Sequence, residues 1–182
     1  MKQHRHPMSA DLIELSNILS GWMLHLAHHA ATPEAGAKLS DEILRSGDAY
    51  KAWLKIVEAQ NGDVTVFEDP AATHKPTATR TLSAPASGYL ASMDCKQVGW
   101  AVQRLGAGRA KPGDPVSAHA GIEMHAKLGD KMREGQPLIT LFAEDPKLLE
   151  EPEAMLRETL QITSTPPKLQ PLIHEIIQNP SS

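Results

Sequence analysis

The spacing of the apolar residues changes near residue 63, and this change limits the folds open to the chain. Before it, apolar residues recur every three or four positions from Ser9 to Leu26, which is the period of one buried helical face. After it, residues 79–94, 120–126 and 137–143 have the pattern of strands and turns. Helices that are followed by a mixture of strands and helices predict an α+β fold.

Local signals predict the ends of three helices in the first third of the chain. Ser9 is placed to cap the first helix, and Thr32-Pro33-Glu34 is a typical start for the second. Gly47 should end that second helix, and Asp48 should cap a third, which ends near Asn61-Gly62. Because the links are short, these helices must pack against one another or against something absent from this sequence.

The second part of the chain follows a connector over residues 63–77, which contains prolines and few large apolar residues. Asp94 is a suitable cap for a helix over Cys95–Leu105. A glycine-containing loop, 106–114, comes next. Residues Leu148–Ile162 are predicted to be helical, with an interruption or restart at Pro152.

The composition argues against several classes of protein. The single cysteine, Cys95, cannot close an intrachain disulfide or supply a zinc cluster of thiolates. The net charge is −4 and no run of Lys and Arg exceeds two residues, which is atypical of a nucleic-acid-binding protein. No apolar run reaches the roughly 18 residues of a membrane helix, and the N-terminal sequence lacks a secretory signal. We therefore expect a cytoplasmic protein without nucleic-acid or membrane partners.

The histidines do not form a recognisable metal motif. His25 and His29 are spaced to share one helical face, with His28 between them, but no glutamate completes an H-E-x-x-H pattern. His119 and His125 flank a predicted strand without a third ligand nearby in sequence. We interpret the first three as surface or helix-end residues, and the last two as packing or edge residues.

Nucleophile and phosphate motifs are equally weak. Ser87 lies in a turn outside any G-x-S-x-G elbow, and Cys95 begins a helix without an identifiable partner histidine. We therefore expect Cys95 to be a buried structural thiol. Gly106–Arg109 follows a helix rather than a strand and lacks the spacing of a phosphate-binding loop, which favours an ordinary loop.

The most specific motif is the segment Lys127–Leu138. Two glycines bracket a turn in which Asp130 can accept backbone hydrogen bonds and Met132 can point inward. This pattern, K-x-G-D-x-hydrophobic-x-x-G-x-x-L, resembles a turn of biotinyl and lipoyl carrier domains and of related hammerhead-type barrels. A carrier module is therefore one alternative, although Lys131 stands in Asp-Lys-Met and neither M-K-M nor D-K-A occurs.

A longer resemblance runs from about residue 10 to residue 177. It rests on eight segments in a fixed order, namely Gly21–Leu24, Leu44–Gly47, Trp53–Gly62, Ala84–Leu90, Met93–Asp94, Gly99–Arg109, Gly113–Pro115 and Gly121–Asp130. In order and spacing they resemble the C-terminal part of thymidine phosphorylases and pyrimidine-nucleoside phosphorylases.

This resemblance implies a dimeric enzyme that splits a pyrimidine nucleoside with phosphate into the free base and ribose or deoxyribose 1-phosphate. In that family a K-H-S-x-G-G segment holds phosphate, and an arginine, a serine and a lysine hold the base. The sequence has no counterpart of these residues, and by the family pattern it begins after them. We therefore expect no catalytic, cofactor-binding or metal-binding residue in this chain, and no phosphorolysis by the chain alone.

The resemblance also implies a domain organisation and partners. Residues 1–64 should be the closing helices of an α/β domain, residues 65–78 a linker, and residues 79–182 a C-terminal α/β-hammerhead domain. The expected partners are the N-terminal phosphorylase domains and a second subunit, with phosphate and nucleoside bound only by the full-length enzyme. The loop 106–114 is either a lid at the cleft mouth or a solvated hinge, and the preference for thymidine or uridine is not encoded here.

A third possibility is an interaction protein without enzymatic activity. In that case the apolar helix face over residues 12–26 would serve as an oligomerisation surface.

Overall fold

The computed structural model describes residues 6–177. The chain forms two compact units: the first contains the described residues up to Glu68 and from Gln170 onward, and the second is Asp69–Leu169. Helices precede two small antiparallel sheets, so the predicted α+β class is confirmed.

The first unit is helical. It contains α1 (Ala10–Leu26), α2 (Pro33–Ser46) and α3 (Asp48–Ala59), with 3-10 turns at Pro7–Ser9 and Val64–Phe67. The start of α2 is as predicted, because Thr32 Oγ1 accepts a hydrogen bond from the Ala35 amide at 3.2 Å. Its end is as predicted too, since Gly47 has the left-handed φ of 83°.

Two predicted caps differ in detail. Ser9 occupies the N-cap position of α1, but its side chain makes no capping hydrogen bond. Asp48 is the first residue of α3 rather than its cap, because the single residue Gly47 joins α2 to α3 and itself holds the N-cap position. The Asp48 carboxylate instead accepts hydrogen bonds from Lys51 Nζ and Ser46 Oγ, both at 2.9 Å, which lower its pKa.

Helices α1 and α2 approach each other closely at Gly21 and Gly36. A Cβ atom at Gly36 would lie 2.4 Å from the carbonyl oxygen of Gly21, and one at Gly21 would lie 2.4 Å from the carbonyl oxygen of Pro33. Near this crossing, Ser40 Oγ donates a hydrogen bond to Asn17 Oδ1 at 2.8 Å. The crossing therefore depends on the absence of side chains at both glycines.

The helical unit buries no large apolar side chain among its described residues. Its buried positions are Gly21, Gly36 and Ser40. One aromatic cluster lies at α3, where Trp53 lies 4.1 Å from Phe67 and 6.2 Å from Tyr50, and in α1 the Trp22 ring lies 6.3 Å from that of His25, all measured between ring centroids. The unit thus lacks a hydrophobic core of its own within the described part of the chain.

The second unit contains three helices and six strands. The helices are α4 (Pro70–Thr73), α5 (Cys95–Val102) and α6 (Glu150–Thr159). The strands are β1 (Ala78–Ser83), β2 (Gly88–Ser92), β3 (Gly121–Met124), β4 (Lys131–Met132), β5 (Pro137–Ala143) and β6 (Gln161–Thr163). A π-helical turn, Gln103–Ala107, extends α5, and a 3-10 turn, Pro146–Leu149, precedes α6.

The strands form two antiparallel three-stranded sheets, with the orders β1-β5-β3 and β4-β2-β6. The consecutive strands β1 and β2 therefore belong to different sheets. In the first sheet, Ile139 of β5 lies opposite Leu82 of β1 and Met124 of β3, so β5 is the central strand.

One apolar core joins both sheets to α5 and α6. Leu90 of β2, Leu105 beyond α5, Leu141 of β5 and Leu156 of α6 are each at most 1% exposed. At about 25 cal/mol per Å², burying each such leucine contributes roughly 1.5–3 kcal/mol. The hydrophobic stabilisation of the described chain is therefore concentrated in the second unit.

The predicted helix Leu148–Ile162 is wrong at its C-terminal end. The helix α6 ends at Thr159, and the next residues form β6, in which Ile162 pairs with Leu90 of β2. Pro152 does not interrupt the helix, because it lies in the first turn of α6, where the amide hydrogens have no partner within the helix.

A charged contact links α6 to the first sheet. The Glu153 carboxylate accepts hydrogen bonds from Arg80 of β1 at 2.6 Å and from Arg157 at 2.7 Å. Only 17% of the Glu153 side chain is exposed. The hydrogen bonds from Arg80 and Arg157 lower the pKa of Glu153 because they favour its ionised form.

The glycine contact between α1 and α2 can be tested with a matched pair of substitutions. Gly36→Ala should lower the free energy of unfolding of the helical unit by about 1–3 kcal/mol, because its methyl group meets the backbone of α1. Gly99→Ala, in α5, has nothing within 4 Å of the added Cβ and should be neutral or stabilising by up to about 1 kcal/mol. Urea unfolding followed by circular dichroism measures both, and equal effects would contradict the close approach.

The Glu153 contact predicts a specific pH dependence. Because the pKa of Glu153 is lowered in the folded state, its contribution is present at neutral pH and is lost as the pH falls through the folded pKa. Glu153→Gln should therefore cost about 1 kcal/mol at pH 7. The difference from wild type should shrink in acid, below the ordinary glutamate pKa of about 4.3. Glu158→Gln, at an exposed position of the same helix, is the control. A deficit for Glu153→Gln that persists unchanged in acid would disprove this account.

Candidate functional site

The first half of the motif Lys127–Leu138 is a clamped turn. Asp130 Oδ2 accepts a hydrogen bond from the Lys127 amide at 2.8 Å, as predicted for this aspartate. The Gly129 amide donates to the Leu90 carbonyl at 2.8 Å, and the Leu90 amide donates to the Asp130 carbonyl at 3.0 Å. Gly129 has φ 91°, a left-handed conformation that favours glycine.

The second half of the motif is bound to the segment between β1 and β2. The Gly135 amide donates to the Ala84 carbonyl at 2.9 Å, and the Ala84 amide donates to the Gln136 carbonyl at 2.8 Å. Met132 is 2% exposed, which confirms its predicted inward position. The motif therefore connects β2, β4 and β5, and its polar groups make hydrogen bonds that stabilise the fold.

Lys131 is not placed like a carrier lysine. It belongs to β4 and pairs with Tyr89 of β2, so its backbone lies within a sheet rather than at a hairpin tip. Its side chain is exposed. This placement does not favour the carrier alternative.

The loop 106–114 makes hydrogen bonds within itself and with Gln103 of the π-helical turn that extends α5. Arg109 Nε donates a hydrogen bond to the Asp114 carbonyl at 3.1 Å, and the Lys111 amide donates to Asp114 Oδ2 at 3.0 Å. Gln103 Nε2 donates to the Arg109 carbonyl at 2.6 Å. One guanidinium nitrogen of Arg109 and the Lys111 amide are thus hydrogen-bonded within the loop, which favours an ordinary loop.

The prediction that His25 and His29 share a helical face is wrong. Helix α1 ends at Leu26, and His28 has a left-handed φ of 61°, so His29 follows a turn rather than the helix. His25 Nδ1 lies 3.1 Å from the Ala30 carbonyl oxygen. The interpretation of these histidines as surface or helix-end residues agrees with the exposure of His28 and His29.

His119 and His125 make separate structural contacts. His119 Nδ1 accepts a hydrogen bond from the Lys75 amide at 3.3 Å, and its carbonyl oxygen lies 2.9 Å from His74 Nε2. His125 Nε2 lies 2.7 Å from Thr140 Oγ1 in the first sheet. Sequence reasoning missed the role of His74, because 45 residues separate it from His119 and no local motif marks the pair. Within residues 6–177, no three histidine, cysteine or acidic residues are grouped to hold a metal ion.

Cys95 is exposed, which contradicts the predicted buried thiol. It is the first residue of α5, and Asp94 caps this helix as predicted by accepting a hydrogen bond from the Lys96 amide at 2.8 Å. The core contacts of the helix begin one turn later, at Val98. The first turn of α5 therefore lies outside the core.

The carboxylates with clearly lowered pKa serve local structure. The pKa of Glu34 is lowered by its own backbone amide and by Thr32, and that of Asp63 by the hydroxyl and amide of Thr65. The pKa values of Asp48 and Glu153 are lowered as well, by the groups described above. These carboxylates lie in separate helices or turns, so they do not form an acid–base pair with one another.

The described residues also form a groove of about 450 Å³ between α1, α2 and the start of α3. Its lining consists of serines and apolar side chains, with no titratable group: Ser16, Ser20, Met23, Leu24, Ala27, Ser40, Ile43, Leu44 and Ala49. Such a lining suits an apolar contact rather than proton transfer. Over residues 6–177, no helix has the length and hydropathy needed to cross a bilayer.

Comparisons with known proteins connect these observations to a family. Residues 89–163 match the family described as pyrimidine nucleoside phosphorylase C-terminal domain. The chain is 36% identical over 164 residues to a thymidine phosphorylase of Mycobacterium tuberculosis, a match that covers 90% of this chain and 36% of the relative. It is 34% identical over 170 residues to a pyrimidine-nucleoside phosphorylase of Bacillus subtilis, with 92% and 38% covered.

An AMP phosphorylase of Pyrococcus horikoshii is similar as well, with 31% identity over 170 residues, 93% of this chain and 31% of the relative. The chain thus spans between three-tenths and two-fifths of the length of these relatives. The resemblance inferred from the eight ordered segments is confirmed. Residues 89–163 match the pyrimidine nucleoside phosphorylase C-terminal domain, and about nine-tenths of the chain is similar to a part of the thymidine and pyrimidine-nucleoside phosphorylases.

Proposed function

We propose that this chain is the structural C-terminal portion of an enzyme that cleaves pyrimidine nucleosides with phosphate. The products would be the free base and ribose or deoxyribose 1-phosphate. The catalytic groups would be supplied by polypeptide homologous to the part of the relatives outside the match. The chain alone would not catalyse the reaction.

One observation carries this proposal. Relatives named for thymidine, for pyrimidine nucleosides and for AMP all match about nine-tenths of this chain at 31–36% identity. A segment shared by enzymes whose named substrates carry different bases is better suited to a common structural task than to base recognition. Its motif Lys127–Leu138, which binds strand to strand, fits such a task.

The polar contacts of the chain support the same role. Phosphorolysis needs groups placed in advance to hold phosphate and to stabilise the departing base. Several arginines of this chain bind groups of the chain itself. Arg80 and Arg157 bind Glu153, Arg104 binds Glu151, and Arg109 binds the Asp114 carbonyl. These cations stabilise the second unit rather than converge on an anion site.

Further parts of the proposal concern organisation. We retain residues 1–64 as the closing helices of an α/β domain, residues 65–78 as a linker, and residues 79–182 as the hammerhead domain. We also propose a homodimeric, cytoplasmic enzyme.

An activity assay tests the central proposal. The purified chain, incubated with phosphate and thymidine, uridine or AMP, should release no base above the background of a buffer control, as measured by chromatography. Co-expression with the part of the Bacillus subtilis relative outside its match to this chain should restore base release from thymidine or uridine.

The matched control is that same part of the relative without this chain, which should be inactive. Turnover by the purified chain alone would refute the proposed division of labour. Release of adenine from AMP, without release of thymine or uracil, would refute the pyrimidine assignment.

A further inference from the structure

Helix α3 ends in a left-handed cap formed by Asn61 and Gly62. Asn61 has a φ of 58°, and its amide donates a hydrogen bond to the Glu58 carbonyl at 2.9 Å. The Gly62 amide donates to the Val57 carbonyl, also at 2.9 Å. These two bonds satisfy carbonyl groups that the last turn of a helix otherwise leaves unpaired.

Backbone geometry accounts for the identity of both cap residues. Asparagine is one of the few residues besides glycine that adopt the left-handed conformation readily. A Cβ atom at Gly62 would lie 2.6 Å from Cγ1 of Val57 and 3.1 Å from its carbonyl oxygen, so this position requires glycine. The cap therefore places an asparagine directly before a glycine, and both residues are exposed.

We propose that Asn61 is a site of spontaneous deamidation, and that the hydrogen bond from Gly62 to Val57 controls its rate. An asparagine that precedes glycine is especially open to this reaction, because glycine presents its nitrogen without a hindering side chain. Asn61 is the only asparagine of the sequence that precedes a glycine. This chemistry belongs to the helical unit and does not depend on the proposed function.

The reaction needs water as its only co-reactant. The Gly62 nitrogen attacks Cγ of Asn61, so a bond forms between these two atoms and the bond from Cγ to Nδ2 breaks. Ammonia leaves with the proton that the Gly62 amide loses, and a five-membered succinimide ring remains. Water then opens the ring at either carbonyl and gives aspartate or isoaspartate, the latter with the main chain running through Cγ.

The closed cap opposes the first step. Attack requires the Gly62 amide to lose its proton, and this proton is held in the hydrogen bond to the Val57 carbonyl. Amides in such bonds exchange their protons when the bond opens, and the same opening must precede ring closure. Deamidation should therefore be slower in the folded chain than in the unfolded chain, by the factor that opening costs.

The structure of the helical unit makes this opening accessible. The unit buries no large apolar side chain among its described residues, and helix ends open at a lower free energy than a packed core. Beyond the cap, the ring of Phe67 lies 4.1 Å from that of Trp53, which holds the 3-10 turn Val64–Phe67 against α3. Loss of this ring contact should speed the reaction.

Either product would weaken the end of α3. Both add a carboxylate beside the last carbonyls of the helix, where negative charge opposes the helix dipole. Isoaspartate also lengthens the main chain by one methylene group, which disturbs the spacing of the two cap hydrogen bonds. Deamidation should therefore loosen the cap that had slowed it.

The test is a time course of deamidation in the full chain at mildly alkaline pH, followed by peptide mass spectrometry and an isoaspartate assay. Asn61 should be converted in the folded chain while Asn17, whose carboxamide is hydrogen-bonded to Ser40 and Asp41, stays intact. Conversion of Asn61 should be at least about 10-fold faster in urea than in the folded chain. Equal rates in the two states would refute control by the cap, and no conversion in urea would refute the site.

A pair of substitutions tests the role of the ring contact. Phe67→Ala should speed conversion of Asn61 in the folded chain by about threefold or more, because it removes the contact with Trp53. Trp100→Ala, at an exposed aromatic residue of the second unit, is the matched control and should leave the rate within about twofold of wild type. An unchanged rate for Phe67→Ala, or an equal rise for both variants, would contradict control by the α3 cap.

A third substitution tests the chemistry without relying on the fold. In urea, Gly62→Ala should slow the conversion of Asn61 by about 10-fold or more, because the methyl group hinders attack by the nitrogen. The same rate for Gly62→Ala and wild type in urea would rule out ring closure through Gly62.

Discussion

Burial of the central strand β5 organises the second unit. Strands β1 and β3 flank it, and its side chains Leu138, Ile139 and Leu141 are at most 1% exposed. The helices α5 and α6 complete the same apolar cluster through Leu105 and Leu156. The motif Lys127–Leu138 fixes the connection into β5. The Glu153 contact holds α6 against β1.

In contrast to the second unit, the described part of the helical unit is not organised around a buried apolar core. Its helices are well formed and approach closely at Gly21 and Gly36, yet its large apolar side chains are not buried within the described residues. Helices in water gain most of their stability from packing an apolar face rather than from intrinsic propensity. A unit of this kind is therefore expected to depend on apolar contact from outside itself, which agrees with the much greater length of the relatives.

Features set by neighbouring residues could be predicted from the sequence, whereas features set by distant pairing could not. Thr32 and Gly47 delimit α2 as predicted, and Asp94 and Asp130 accept the expected backbone hydrogen bonds, because capping and turn geometry act over three or four residues. Ile162 was predicted to be helical, but its pairing with Leu90 across the chain overrides that local pattern. The contact of His74 with His119 has no local signature at all. For the site, the sequence predicted the fold role of the Lys127–Leu138 motif, while the exposure of Cys95 depends on where the core begins along α5.

The central physical claim is that stability resides in the second unit while the helical unit lacks a core of its own. Native-state amide hydrogen exchange on the complete chain tests it most directly, because it reports the free energy of opening residue by residue. The account predicts the slowest exchange in β1, β5 and α6, and exchange about 100-fold or more faster in α1, α2 and α3. Protection of α1 equal to that of β5 would contradict it.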